Sequence, residues 1–154
     1  MPRKSAAPVS NWLALDRQLC FAIYSASLAM TKFYKPVLDP LGLTYPQYLV
    51  MLVLWEGDGI TVSQLGDRLG LDSGTLTPLL KRLQAGGLLT RLRDAADERR
   101  VLLQLTAAGR ALRQRATAVP PQVLQASGCG LDELTDLTRR LHELRRRMST
   151  PRAA

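Results

Sequence analysis

Apolar residues recur at helical spacing through the first quarter of the chain: Leu15, Leu19, Ile23, Ala26, Met30 and Phe33 follow one another at steps of three and four. That stripe predicts an amphipathic helix, capped by Ser10 or Asn11 and ended near Tyr34 by Pro36 and Pro40. The next run, YLVMLVLWE, is apolar on nearly every side, the pattern of a buried helix. Thr44 and Gln47 open it at capping-box spacing, and Gly57-Asp58-Gly59 stops it. A second capping box, Thr61 with Gln64, starts a short helix ending near Gly70; Asp72 then caps LTPLLKRLQA, which Gly86-Gly87 terminates. Two short helices joined by a tight glycine-containing turn form a helix-turn-helix.

The period then changes. Leu88 to Asp94 and Val101 to Thr106 have strand character, and the charged segment Ala95 to Arg100 between them is a hairpin tip. A helix-turn-helix followed by a charged hairpin is a winged helix. From Thr106 a further helix is expected to about Val119, broken by Pro120-Pro121 and resuming briefly before Ser127. The last helix carries Leu134, Leu137, Leu141, Leu144 and Met148 as a heptad seam suited to a partner helix or to the chain's own first helix. The predicted fold is mainly α with a small β-hairpin wing, one domain over residues 1–154. Within it, a winged helix-turn-helix lobe at 44–106 is flanked by dimerisation helices at 11–35 and 107–148, and 1–10 is a flexible tail.

Charge narrows the partners. Lys and Arg total 21 against 13 Asp and Glu, a net +8 that biases the chain toward nucleic acid or an anionic membrane face. The chain shows neither a signal-peptide core nor a membrane-length apolar run, so a cytoplasmic location with no membrane partner is expected, and its two cysteines are expected to be reduced there. His142 is the single histidine, and no carboxylate cluster stands at ligand spacing near either cysteine, so no metal is expected. Neither a phosphate-binding glycine loop nor a nucleophile elbow occurs, and no cofactor is expected.

The second helix of a helix-turn-helix enters the major groove with its N-terminal residues toward the bases. Here those are Asp72, Ser73, Thr75 and Thr77, with Lys81 and Arg82 one to two turns on. Short hydroxyls suit phosphate oxygens or base edges, Arg82 a bidentate contact to guanine, and Lys81 a phosphate. Arg99 and Arg100 at the hairpin tip suit a minor groove, with Asp97 placed to orient one of them; a merely solvated charged turn is the alternative. Two copies about a two-fold axis would read a pseudo-palindrome in double-stranded DNA, with half-sites about 10 bp apart or a multiple of that.

Counting along the first helix from Cys20, positions four, seven, eleven and fourteen residues on fall within roughly 40° of it. They are Tyr24, Ser27, Thr31 and Tyr34, and each carries a hydroxyl. A phenol donating to a thiolate favours that form, and an accessible thiolate is what hydroperoxides oxidise to sulfenic acid. The plain alternative is a small buried hydrophobe. Cys129, in Ser-Gly-Cys-Gly ahead of the last helix, is a second accessible thiol of the kind that resolves a sulfenic acid.

LCFAIYSASLAMTKFYKPVLDPLGLTYPQYLVMLVLWE, LGLDSGTLTPLLKRLQAGGLLTR and DERRVLLQLTAAGR together resemble the organic hydroperoxide resistance regulators, a branch of the MarR family of winged-helix repressors. The resemblance is close from Cys20 to about Arg110. It implies a homodimer repressing a gene for a thiol peroxidase, with organic hydroperoxide as inducer. Cys20 is similar to the family's peroxidatic thiol, and Tyr34 and Tyr45 resemble the two tyrosines that hydrogen-bond to it across the dimer. Tyr45 rests on the resemblance alone. Asp72, Thr75, Thr77 and Arg82 match the recognition helix and Arg99 the wing arginine. Members with one cysteine form mixed thiol adducts; others form an intersubunit disulfide to a second cysteine near the C-terminal helix, and Cys129 implies that type.

Two other readings stand beside it. One is a MarR-type regulator answering a small phenolic ligand, with both thiols structural. The other is a thiol peroxidase, against which Cys20 has no Arg or Glu near it in sequence except Arg17, and a DNA-reading element has no use there.

Overall fold

The computed structural model describes residues 9–150, which fall into two units divided between Arg110 and Ala111. Of the predicted tail, residues 1–8 lie outside the described residues, and Val9 and Ser10 open a 3-10 turn.

The first unit begins with 3-10 turns at Val9–Leu13 and Leu15–Arg17, where one continuous α-helix was expected. Gln18 is the reason for the difference. Its backbone is extended, and its side-chain amide donates back to the carbonyls of Trp12 and Ala14, holding the turns short of an α-helix. The helix α1 therefore spans Leu19–Leu38, and Pro36 sits inside its last turn instead of ending it. The proline removes one N–H from the ladder of that turn, and the α-helix ends two residues later.

The next helix, α2 at Tyr45–Glu56, has the predicted capping box: the Thr44 hydroxyl accepts from the Gln47 amide at 3.4 Å and the Gln47 side chain from the Thr44 amide at 3.0 Å. Gln47, Tyr48, Val50, Met51, Val53 and Leu54 are buried, as its apolar run requires. A two-residue strand, β1 at Ile60–Thr61, was not expected. It leads into α3, Val62–Leu69, whose Thr61–Gln64 box is likewise formed, at 3.1 and 2.9 Å. Gly66 lets the following turn close, since a Cβ there would lie 2.6 Å from the Leu71 carbonyl oxygen. Then come α4 at Ser73–Ala85, β2 at Leu89–Arg93 and β3 at Val101–Leu105.

The antiparallel sheet has the order β1-β3-β2; Leu89 pairs with Leu105 and Arg93 with Val101, while Ile60 pairs with Leu103. Leu38, Met51, Leu54, Leu65, Leu76, Leu80, Leu83, Leu89 and Leu103 are fully buried and form the core under the helix-turn-helix and wing.

From the first unit α5, Ala107–Ala116, continues into the second, which holds α6 at Val119–Ser127 and α7 at Leu131–Ser149. The break falls at Thr117-Ala118. The prolines predicted to break the helix instead occupy the first turn of α6, where a fixed φ and an absent N–H are both tolerated. In α7 no residue is buried, and Leu137, Leu141 and Met148 of its seam are exposed. Likewise α1 buries only Leu38 while exposing Leu19, Phe21, Ile23, Leu28 and Met30. No single helix among the described residues is long and apolar enough to cross a membrane.

Candidate nucleic-acid interface and thiol site

The capping residue sets where α4 begins. Asp72 accepts the Thr75 amide at 2.7 Å, and that bond holds its carboxyl below the usual carboxylate range. Its carboxylate is thus committed to the helix end. Thr77, half-buried, donates its hydroxyl to the Ser73 carbonyl at 2.7 Å within the helix. Ser73, Thr75, Lys81 and Arg82 are exposed, while Leu76, Leu80 and Leu83 face inward. The helix therefore offers two cations and short hydroxyls on its outer side.

The wing tip is a network of short-range bonds. Asp97 accepts from both the backbone N–H and the Nε of Arg99, at 3.1 and 3.2 Å, and Asp94 pairs with Arg100 at 3.7 Å. Asp97 orients Arg99, as the sequence suggested, and leaves that side chain 92% exposed. At such exposure the ion pair adds little stability; its effect is direction. Arg91 of β2 donates to Gln84 of α4 at 2.7 Å, a tie between wing and helix that no local pattern announced.

Cys20 lies in the first turn of α1 and is exposed, not the mid-helix residue expected. Tyr24, one turn on, is 63% exposed. Tyr34 stands fourteen residues along the same helix, about 21 Å at 1.5 Å per residue. Its ring lies 4.5 Å from that of Tyr45 and 5.9 Å from that of Tyr48, a residue the sequence reading did not single out. Burial, with the neighbouring Tyr45 and Tyr48, pushes the Tyr34 phenol up to about 12; burial raises Tyr45 as well. Both phenols are hydrogen-bond donors at neutral pH. Thr31 donates its hydroxyl to the Ser27 carbonyl at 3.0 Å, so it serves its own helix.

In the second unit, Cys129 is half-buried between Gly128, which closes α6 with φ 67°, and Gly130, which caps α7. Its amide donates to the Ser127 hydroxyl at 3.2 Å and its thiol lies 3.5 Å from the Ser127 carbonyl oxygen.

Residues 32–115 match the family model described as transcriptional regulator SarA/Rot. The organic hydroperoxide resistance transcriptional regulator of Bacillus subtilis is 48% identical over 132 residues, 86% of this chain and 90% of that protein. Among solved structures, AbfR of Staphylococcus epidermidis is 33% identical with a TM-score of 0.75, over 90% of this chain and 96% of that one. Reduced AbfR bound to DNA is 34% identical, TM-score 0.72, over 92% and 98% of the two chains. Disulfide-formed AbfR is 37% identical, TM-score 0.62, over 88% and 95%. MarR of E. coli is 26% identical with a TM-score of 0.65, over 82% and 96%. With the winged helix in place and these likenesses spanning most of its length, the chain belongs to the organic hydroperoxide resistance branch of the MarR family of winged-helix transcriptional regulators, which are DNA-binding proteins and not enzymes.

Proposed function

We propose that the chain is a cytoplasmic homodimeric repressor whose hold on operator DNA is released when an organic hydroperoxide oxidises Cys20. The observation that carries the reading is the position of this thiol: exposed, in the first turn of a helix whose apolar face is otherwise uncovered, and about 21 Å from Tyr34. Within one copy, Tyr34 and the Tyr45 ring packed at a tilt against it cannot reach the sulfur. Two antiparallel copies of α1 crossing at Ser27 would bring Cys20 of each to Tyr34 of the other, and the small Ser27 side chain leaves room at the crossing itself.

In the reaction, the Cys20 thiolate attacks the peroxide oxygen; with one proton taken up, the O–O bond breaks to give a sulfenic acid and the alcohol. Cys129 of the partner subunit then condenses with the sulfenic acid, forming a disulfide and releasing water. Support comes from the B. subtilis relative, named for organic hydroperoxide resistance, and from AbfR, solved both reduced on DNA and with a disulfide. On the DNA side, Ser73, Thr75, Thr77, Lys81 and Arg82 of α4 meet the major groove of a pseudo-palindrome, Asp72 holds that helix end in place, and Arg99 enters the minor groove.

Non-reducing electrophoresis after treatment with cumene hydroperoxide tests the resolving step. A dimer-sized band is expected in the wild type and in neither Cys20→Ser nor Cys129→Ser; its absence in the wild type would assign the chain to the single-thiol mechanism.

A second reading keeps one observation of its own. A cavity of about 360 Å³, lined by Thr31, Lys32, Lys35, Asp39, Leu43 and Tyr45 among others, is mostly apolar; Lys35 is paired with Asp39 at 3.6 Å, which leaves Lys32 as the cation that would meet a small phenolic anion. Release of DNA by such a ligand from Cys20→Ser protein would establish it.

A further inference from the structure

The wing hairpin is rooted in a hydrogen-bonded knot. The Thr106 hydroxyl donates to the Gly87 carbonyl at 2.6 Å and accepts from the Gly109 amide at 3.0 Å, and the Thr106 amide donates to the Leu88 carbonyl at 3.1 Å. Gly109 lies so close to the start of β2 that a Cβ there would stand 2.0 Å from the Leu88 carbonyl oxygen. Asp58, just past α2, accepts from the Leu105 amide at 2.7 Å and from Arg110 at 3.2 Å. Both ends of the hairpin and the first turn of α5 are thus one rigid piece.

From α2, the indole N–H of Trp55 is bonded to that piece, donating to the Gly109 carbonyl at 2.9 Å. On its other side the indole meets Tyr48 edge-on, with centroids 6.5 Å apart. Tyr48 is 4% exposed and lies 6.4 Å from Tyr45 and 5.9 Å from Tyr34. From its first residue to its last turn, α2 therefore carries one packed aromatic row, whose near end is the phenol pair proposed to serve the thiol and whose far end is bonded to the wing root.

We propose that Trp55 is a positioning residue for DNA binding: through the Gly109 carbonyl it sets the wing relative to α2, so that displacement of the Tyr45 end of α2 carries Arg99 away from the minor groove. The proposal rests on the redox reading for its trigger, but its structural part stands on the reduced protein alone.

Trp55→Phe keeps an aromatic ring against Tyr48 while removing the N–H donor and one ring of the indole. The probe is a duplex selected from a random pool by the wild-type protein. Reduced Trp55→Phe is expected to bind it about five- to tenfold more weakly, the effect of one lost partly buried hydrogen bond. Affinity after cumene hydroperoxide and the rate of Cys20 oxidation should match the wild type, so the fold-release shrinks by the same factor. In hydroxyl-radical footprints, protection at the wing should fade while protection under α4 persists. If Trp55→Phe is poorly folded by circular dichroism, Thr106→Val loosens the same knot and should weaken reduced binding in the same way. Wild-type affinity for reduced Trp55→Phe, or an equal loss in the reduced and oxidised states, would overturn the proposal. Failure of the wild type to release DNA on oxidation would instead overturn the redox trigger, leaving the reduced-state comparison to judge Trp55.

Discussion

Arg82 and Lys81 stand side by side on the outer face of α4, yet their chemistry separates their effects. Arg82→Ala is expected to cost about 1–3 kcal/mol at one base position and to relax sequence preference there. Lys81→Ala should weaken binding evenly across sequences and flatten the salt dependence by about 0.9 in the slope of log K against log salt; anisotropy titrations over a salt series distinguish the two. Tyr34 gives a pH signature. Its phenol is raised in the folded state, to about 12, so its contribution to stability is complete below about 10 and is lost as pH rises through about 12. Denaturant midpoints between those values should fall in the wild type and fall less in Tyr34→Phe. Among single residues, those that act on near neighbours in sequence were legible: Thr44, Thr61 and Asp72 as caps, and Asp97 as the partner of one wing-tip arginine, which the structure shows to be Arg99. Trp55 and Asp58 were not, because their bonds span 54 and 47 residues and leave no periodic trace.

Helices with an apolar stripe and a cap could be placed from the chain to within a residue or two, as α2, α3 and α4 show. The start of α1 could not. The hydrophobic period runs unbroken from Leu15 through Leu19, and only the back-bonding of Gln18 interrupts the helix between them. The shift matters for the thiol, because it moves Cys20 from a helix interior to a first turn where backbone N–H groups lack intrahelical partners. Likewise, Pro120 and Pro121 have the chemistry to open a helix as well as to stop one, and the sequence pattern does not choose. The strand β1 is two residues long and exists because β3 pairs with it, a tertiary cause. Capping makes its own quantitative claim: Thr61→Ala, which removes the bond to the Gln64 amide at the mouth of the helix-turn-helix, should cost about 1 kcal/mol in chemical denaturation. No loss would mean that β1 pairing alone fixes the start of α3.

For the whole molecule, α1 and α7 display apolar stripes that a lone chain leaves in water: Leu19, Ile23 and Met30 on one, Leu137, Leu141 and Met148 on the other. Those faces were legible as stripes, but a stripe alone does not say whether the chain or a second copy covers it. The proposed two-fold crossing at Ser27 gives the α1 stripe, the thiol and the distant tyrosine pair one common arrangement. Sedimentation at micromolar concentration should then show a dimer in the reduced protein, and a monomer would remove the partner that Cys20 needs. The central claim is that oxidation of Cys20 releases DNA, and it is tested most directly by fluorescence anisotropy of a labelled, selected duplex as cumene hydroperoxide is added. The wild type is expected to release the duplex and to rebind it on reduction, while Cys20→Ser stays bound throughout. Equal release from Cys20→Ser would contradict the account.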